Sequence, residues 1–523
     1  MPSANQRLGG VLLHPPALPG PHGSGDFGPA AYHYVDWLAS AGQRLWQTLP
    51  LTPVGPGNSP YASVSAFAGA SLLVALEPLV ERGWLAAAAP ADLARFDAER
   101  VDYAQVLPWR MAQLRTAEAG FRTSATAAER AALTEFRQRE PHWLDDYTLF
   151  MALDERYRAG QCWSWTQWAP ELANREPAAL AAARVEHAAE IDFHAFVQWC
   201  FFSQWRALMD HAQARGVQIV GDLPIFVAHH SADCWANRNL FRLDAHGEPQ
   251  VVAGVPPDFF AVTGQRWGNP LYDWSAMAAD GFAWWIARVR HELRRCDLVR
   301  IDHFRGFAAY WEIQASCPTA IEGRWVPAPG EALFAALRDA FDGVLPVIAE
   351  DLGVMTPDVE ALRDSFGLPG MKILQFGFSD DAGHAFLPHN YPANCCAYTG
   401  THDNDTALGW WHGATERERS YAAVYLGTDA APAGAHNIHW AMIRACWASV
   451  ARIAVCQMQD VLGLGAEARM NVPGTLGHWT WRMQWSQVGP GPAERLLQVS
   501  AAYGRAPIDR LELSDGPADR SVP

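Results

Sequence analysis

From residue 193 onward one unit recurs, and it limits what the chain can fold into. An amphipathic stretch of helical period is followed by a short apolar run that ends on a polar or acidic residue. Phe193–Arg215 leads through Gly216 into Val217–Val220 and stops at Gly221 and Asp222. Gly281–Arg295 leads into Leu298–Ile301 and Asp302, and Glu331–Phe341 leads through Gly343 into Val344–Ile348 and Glu350. Pro357–Ser365 precedes Met371–Phe376, Cys395–Tyr398 ends near His402 and Asp403, and Ala435–Arg452 precedes Ile453–Met458. Continuous apolar runs alternating with helices mark parallel strands buried on both faces.

With Arg44–Leu49 the strands number seven, and Ser71–Leu76 is the candidate for an eighth. The doubly wound sheet is the alternative architecture, but it normally carries a glycine-rich phosphate loop after an early strand. No G-x-G-x-x-G or Walker-type motif is present. The predicted fold class is therefore α/β, a (β/α)8 TIM barrel with inserted helical subdomains, whose chemistry sits at the C-terminal ends of the strands.

The first 30 residues, rich in Pro and Gly, read as loop, followed by a helix over Tyr34–Ser40 and another helical region over Glu77–Ala87. Residues 88–190 change character. They are alanine-rich, charged and helical in period, and Thr126 with Glu129 three residues later has the form of a capping box. This stretch reads as a helical insertion into one catalytic barrel domain spanning 1–523, and 228–280 as a second insertion, an active-site loop region.

The 40 Lys and Arg against 56 Asp and Glu leave a formal net charge of −16, which disfavours nucleic acid as a partner and suits a neutral substrate. The 24 tryptophans serve mainly as core, although an indole face also covers the apolar face of a sugar ring. Nine cysteines without a C-x-x-C pair fit reduced thiols in the cytoplasm. No signal-peptide pattern opens the chain, and no run is long and apolar enough to span a membrane.

Asp302, Glu350 and Asp403 each lie at or just beyond a predicted strand end, with room for one or two βα repeats between them, so all three can meet over one barrel mouth. Glycosidic bond cleavage needs such a set: one carboxylate to attack the anomeric carbon and one carboxylic acid to protonate the departing oxygen. Further negative charge favours the cationic transition state and raises the pKa of the acid. Arg300, two residues before Asp302 and on the same strand face, is placed to orient it and keep it ionised. His402 can donate to a sugar hydroxyl. The same residue types could instead cap helices, form surface ion pairs or bind a divalent cation.

Several segments carry a specific resemblance. Asn58-Ser-Pro-Tyr-Ala-Ser-Val-Ser-Ala-Phe-Ala-Gly69, Gly221-Asp-Leu-Pro-Ile-Phe-Val-Ala-His229, Val252-Ala-Gly-Val-Pro-Pro-Asp-Phe-Phe260 and Thr263-Gly-Gln-Arg-Trp-Gly-Asn-Pro-Leu-Tyr-Asp-Trp274 are followed, in family order, by Arg300-Ile-Asp-His-Phe-Arg-Gly306, Ala349-Glu-Asp-Leu-Gly353 and Tyr398-Thr-Gly-Thr-His-Asp-Asn-Asp-Thr406. Together they span nearly the whole chain. The sequence resembles the amylomaltases, or 4-α-glucanotransferases, of glycoside hydrolase family seventy-seven.

That resemblance implies transfer of a 1,4-α-glucan segment to the 4-hydroxyl of an acceptor glucose or glucan by a retaining double displacement, with no metal or coenzyme. It implies Asp302 as nucleophile, Glu350 as acid and then base, and Asp403 as the carboxylate that binds two adjacent sugar hydroxyls. Arg300 and His402 would support the same subsite, Tyr61 would stack on its sugar, and Asp222 would bind substrate. Phe259, Phe260 and Trp267 would lie on a mobile active-site loop, with Gln265 and Asn269 as polar contacts. Malto-oligosaccharides and 1,4-α-glucans are the implied partners. Asn58 and His230 depart from the acidic residues expected at those positions. The alternatives are an α-glucan hydrolase of the α-amylase type and a catalytically inactive glucan-binding protein. Oligomeric state is left open.

Overall fold

The computed structural model describes residues 6–257, 261–379, 381–429 and 437–506. Eight short strands form one parallel sheet: β1 (Leu8–Leu12), β2 (Leu45–Gln47), β3 (Gln218–Leu223), β6 (Leu298–Ile301), β9 (Val347–Ala349), β10 (Gly370–Ile373), β11 (Cys395–Tyr398) and β12 (Ile453–Gln457). The order is β10-β11-β12-β1-β2-β3-β6-β9, so the two edges, β9 and β10, are consecutive in sequence. The Ala349 N–H donates to the Pro369 carbonyl at 2.9 Å and draws those edges together. The result is a nearly closed (β/α)8 barrel with helical insertions on its flanks.

The seven predicted strands are all found, five of them with ends displaced by up to three residues, and Leu298–Ile301 and Cys395–Tyr398 match residue for residue. One expectation is overturned. Ser71–Leu76 is not the eighth strand; Ser71–Leu73 is a single 3-10 turn. The run is apolar because it is buried, but its polar backbone is satisfied by side chains: Gln204 bonds both the N–H and the carbonyl of Ala75 at 2.7 and 3.0 Å. The eighth strand is β1, inside the stretch read as loop. Its Leu-Gly-Gly-Val-Leu sequence has little strand character, because glycine gives a strand no side chain to pack. The glycines are demanded by crowding. A Cβ on Gly10 would stand 2.5 Å from the Leu45 Cβ of β2, and one on Gly9 2.8 Å from the Gln43 side-chain oxygen.

Between β2 and β3 the chain runs through helices Tyr103–Ser124, Ala127–Arg139, Pro141–Ala159 and Pro177–Glu186 before the long helix Ala188–Ala214 returns it to the barrel. Thr126 and Glu129 form the expected capping box. The segment after β3 contributes β4 (Val251–Val255) and β5 (Gln265–Pro270). These join β7 (Ala309–Gln314) and β8 (Gly323–Pro327) in a small antiparallel sheet, ordered β5-β4-β7-β8, beside the strand tips. Among the described residues no helix is long and apolar enough to cross a membrane.

Candidate active site

Parallel register brings the carboxylates together. Asp222 of β3 pairs with Arg300 of β6, and Ile301 pairs with Ala349 of β9. Asp302 and Glu350 are the next residues along, so they leave neighbouring strands at the same level. Two backbone bonds carry the pairing to those tips: Glu350 N–H to the Ile301 carbonyl at 3.1 Å, and Asp302 N–H to the Leu223 carbonyl at 3.0 Å. One strand spacing, about 4.8 Å, separates such positions.

Arg300 lies beneath this pair, 3% exposed. One guanidinium nitrogen donates to both Asp222 oxygens at 2.8 Å, and the other to Asp302 Oδ1 at 2.8 Å. A planar fork of this kind fixes both carboxylates at once, which a lysine could not do. Burial opposes the charge of Arg300, but Asp222 and then Asp302 outweigh it and raise its pKa. Asp222 is fully enclosed, and burial pushes its carboxyl up to about 7, held back by Arg300 and by the Tyr61 hydroxyl, which donates to it at 2.7 Å.

Glu350 is in a different setting. Burial raises its pKa well above the usual carboxylate range. Arg300 opposes that rise, and the nearby Asp302 charge adds to it. Its two oxygens are held in place by backbone donors, His303 N–H at 2.6 Å and Leu352 N–H at 3.1 Å. His303 presents its N–H because its backbone is left-handed (φ 51°), a region where histidine is tolerated better than most residues. Its ring, pushed down to about 4 by burial, stays neutral.

The opposite wall comes from the loops after β2 and β11. Tyr61 stacks on His402 with centroids 5.2 Å apart and planes 15° apart. His402 Nε2 lies 3.3 Å from Asp403 Oδ1, and burial lowers the pKa of the ring. Asp403 itself is open, its side chain 42% exposed. Tyr61, Asp222, Arg300, Asp302, Glu350, His402 and Asp403 thus form one constellation linked by contacts.

The expected loop contacts are less concentrated. Trp267 on β5 is 39% exposed and meets the His303 ring edge-on at 4.8 Å, which places it beside Asp302. Gln265 accepts from the Trp267 indole N–H at 3.2 Å. The Asn269 amide is used to hold the Val227 carbonyl at 2.9 Å, a structural task. Phe259 and Phe260 lie outside the described residues. His230, one of the two departures, bonds Asp154 at 2.8 Å within the helical insertion.

Residues 469–482 add contacts that sequence reasoning missed. Asn471 donates to Asp403 Oδ1 at 2.6 Å, Arg469 donates to the Asp403 carbonyl at 2.6 Å, and Trp479 packs against both Tyr61 and His402. The only local signal there was the Trp-x-Trp-Arg pattern at 479–482, which in isolation reads as core. Of the His and carboxylate groupings close enough to share a cation among the described residues, none includes Asp302, Glu350 or Asp403.

A parallel barrel with carboxylates gathered at the C-terminal tips of its strands has the layout of a barrel enzyme. Comparison with known proteins narrows that class. Residues 13–487 match the family model described as 4-alpha-glucanotransferase, glycoside hydrolase family 77. The chain is 51% identical to the 4-alpha-glucanotransferase of Thermus thermophilus over 503 residues, 95% of this chain and 99% of that protein. It is 45% identical to the 4-alpha-glucanotransferase of Synechocystis over 504 residues, covering 96% of this chain and 98% of that one. Among solved structures it superposes on the amylomaltase from Streptococcus agalactiae in complex with acarbose, with TM-score 0.90, 38% identity, and coverage of 96% of this chain and 100% of that one. The chain belongs to the 4-alpha-glucanotransferase family, and it is an enzyme that transfers glucan segments.

Proposed function

We propose that transfer proceeds by two displacements at a single glucosyl ring, with overall retention at the anomeric carbon. Asp302, oriented by Arg300, attacks the anomeric carbon from below. Glu350, protonated because of its burial and the charge of Asp302, gives its proton to the departing 4-oxygen. The short leaving sugar departs, and Glu350, now a base, takes the proton of an acceptor 4-hydroxyl as that oxygen displaces Asp302. Asp403 accepts hydrogen bonds from two neighbouring hydroxyls of the ring, Tyr61 covers its apolar face, and His402 donates to it. Asp222 sets Tyr61 and Arg300. The observation that carries this reading is the register that brings Asp302 and Glu350 side by side, with Arg300 hydrogen-bonded to Asp302 and, of the pair, to it alone.

Trp267, with Gln265 beneath it, walls the acceptor side and helps exclude water, favouring a sugar hydroxyl over hydrolysis. Malto-oligosaccharides serve as both donor and acceptor. In this reading 88–190 and 228–280 are insertions on one catalytic barrel spanning 1–523. Its nine unpaired cysteines suit a reducing cytoplasm.

Maltotriose as sole substrate is the direct test. The expected chromatogram shows glucose together with a ladder of chains longer than maltotriose. Accumulation of glucose and maltose with nothing longer would point instead to an α-glucan hydrolase, and an unchanged substrate to a binding protein.

A further inference from the structure

We propose that Trp479 is a positioning residue for the glucosyl site, and that it is held in place by the first turn of helix Tyr103–Ser124 in the helical insertion. The proposal rests on the reading of Tyr61 and His402 as walls of that site. These two residues come from loops more than three hundred residues apart in sequence. Trp479 closes the arrangement into a triangle. Its centroid lies 5.9 Å from Tyr61 and 5.7 Å from His402, while those two rings are 5.2 Å apart. It is 6% exposed, behind the other two, and therefore supports them without being offered to substrate.

Its backbone is the second observation. Trp479 has φ 70°, in the left-handed region, where a bulky aromatic residue is unfavourable unless its surroundings impose it. Here the surroundings do so from both sides. The Trp479 N–H donates to the Met470 carbonyl at 2.9 Å, and the Trp479 carbonyl accepts from the Tyr103 hydroxyl at 2.9 Å. Tyr103 is buried at the first position of helix Tyr103–Ser124, just after its Asp102 cap. The flanking strand-like segments pair as well: Val101 N–H to the Thr480 carbonyl at 2.7 Å, Arg482 N–H to the Glu99 carbonyl at 2.8 Å, and an antiparallel bridge between Arg100 and Trp481. The inserted helices contribute none of the site carboxylates, yet through one hydroxyl and one indole they set where Tyr61 and His402 stand. Tyr61 in turn bonds Asp222, the partner of Arg300, so a displaced ring is felt at the nucleophile.

The test compares Trp479→Leu, Trp479→Phe, Tyr103→Phe and the double variant Tyr103→Phe/Trp479→Leu in maltotriose disproportionation, with Tyr61→Ala alongside. Each is assayed well below its own thermal midpoint. Misplacing reacting groups by about 1 Å can cost on the order of 100-fold, so Trp479→Leu should lower kcat by about 30-fold and change KM by less than about threefold. Trp479→Phe keeps a ring in the triangle and should recover most of that loss. Tyr103→Phe, which loses only the hydroxyl, should lower kcat by about fivefold, and the double variant should be no worse than Trp479→Leu because both act through one ring.

A packing role alone would lower the thermal midpoint and leave kcat unchanged. Wild-type kcat in a folded Trp479→Leu enzyme would overturn the proposal, as would losses that multiply in the double variant. If Trp479→Leu does not fold, Tyr103→Phe decides: reduced kcat supports the proposal and unchanged kcat overturns it. Full activity in Tyr61→Ala would instead remove the underlying reading of the site.

Discussion

Asp302→Asn is expected to lower kcat for maltotriose disproportionation by at least ~10⁴-fold, the scale seen when a nucleophile is removed from a catalytic set. The amide is isosteric with the carboxylate but cannot form the glucosyl ester. The rest of the site has reason to stay in place. Arg300 keeps two 2.8 Å bonds to Asp222, and the tip of β6 remains held by the Asp302 N–H to Leu223 bond. Malto-oligosaccharide affinity, measured by calorimetry, should therefore change by less than about tenfold, since most binding contacts survive. Turnover within about 100-fold of wild type would mean that another group attacks the anomeric carbon.

Glu350→Gln should lower kcat with maltotriose by about 10³-fold, within the usual range for loss of a general acid and base. The loss should shrink sharply in the first step with α-maltosyl fluoride, because fluoride departs without needing a proton. The pH profile separates this residue from its neighbours. In the proposed mechanism Glu350 acts first as an acid, so activity should fall as pH rises through its pKa. Burial and the Asp302 charge raise that pKa and place the limb above the ordinary carboxylate range. Asp222, pushed up to about 7, titrates with the opposite functional sign, since its anion is the form that holds Arg300 and Tyr61. Wild-type kcat/KM with maltotriose should therefore show this basic limb, and the residual maltotriose activity of Glu350→Gln should lack it. The same limb persisting in the variant would assign it elsewhere.

Legibility in the sequence followed chemistry that is local. β6 and β11 are short, mainly apolar runs with no glycine, and their limits could be read to the residue. β1 could not, because Gly9 and Gly10 answer to neighbours, the Gln43 and Leu45 side chains, that no local pattern reveals. Ser71–Leu76 misled for the converse reason: burial made it apolar, while Gln204, far along the chain, removed its need for a ladder. The carboxylates proposed as catalytic were visible because strand ends point to them, and Arg300 because i and i+2 share a face. The supporting contacts were not. Asn471 and Trp479 reach the site from a loop after β12, and the His303 N–H reaches Glu350 through a backbone conformation that periodicity does not encode.

The central claim is a covalent glycosyl-enzyme formed on one strand tip and resolved by the acid–base residue on the next. Glu350→Gln enzyme mixed with α-maltosyl fluoride, quenched in acid and digested, puts that to a single mass measurement. Slow deglycosylation in the absence of the base should leave a maltosyl group on the peptide that contains Asp302. A maltosyl group on the Asp222 or Asp403 peptide, or steady turnover with every peptide unmodified, would contradict it.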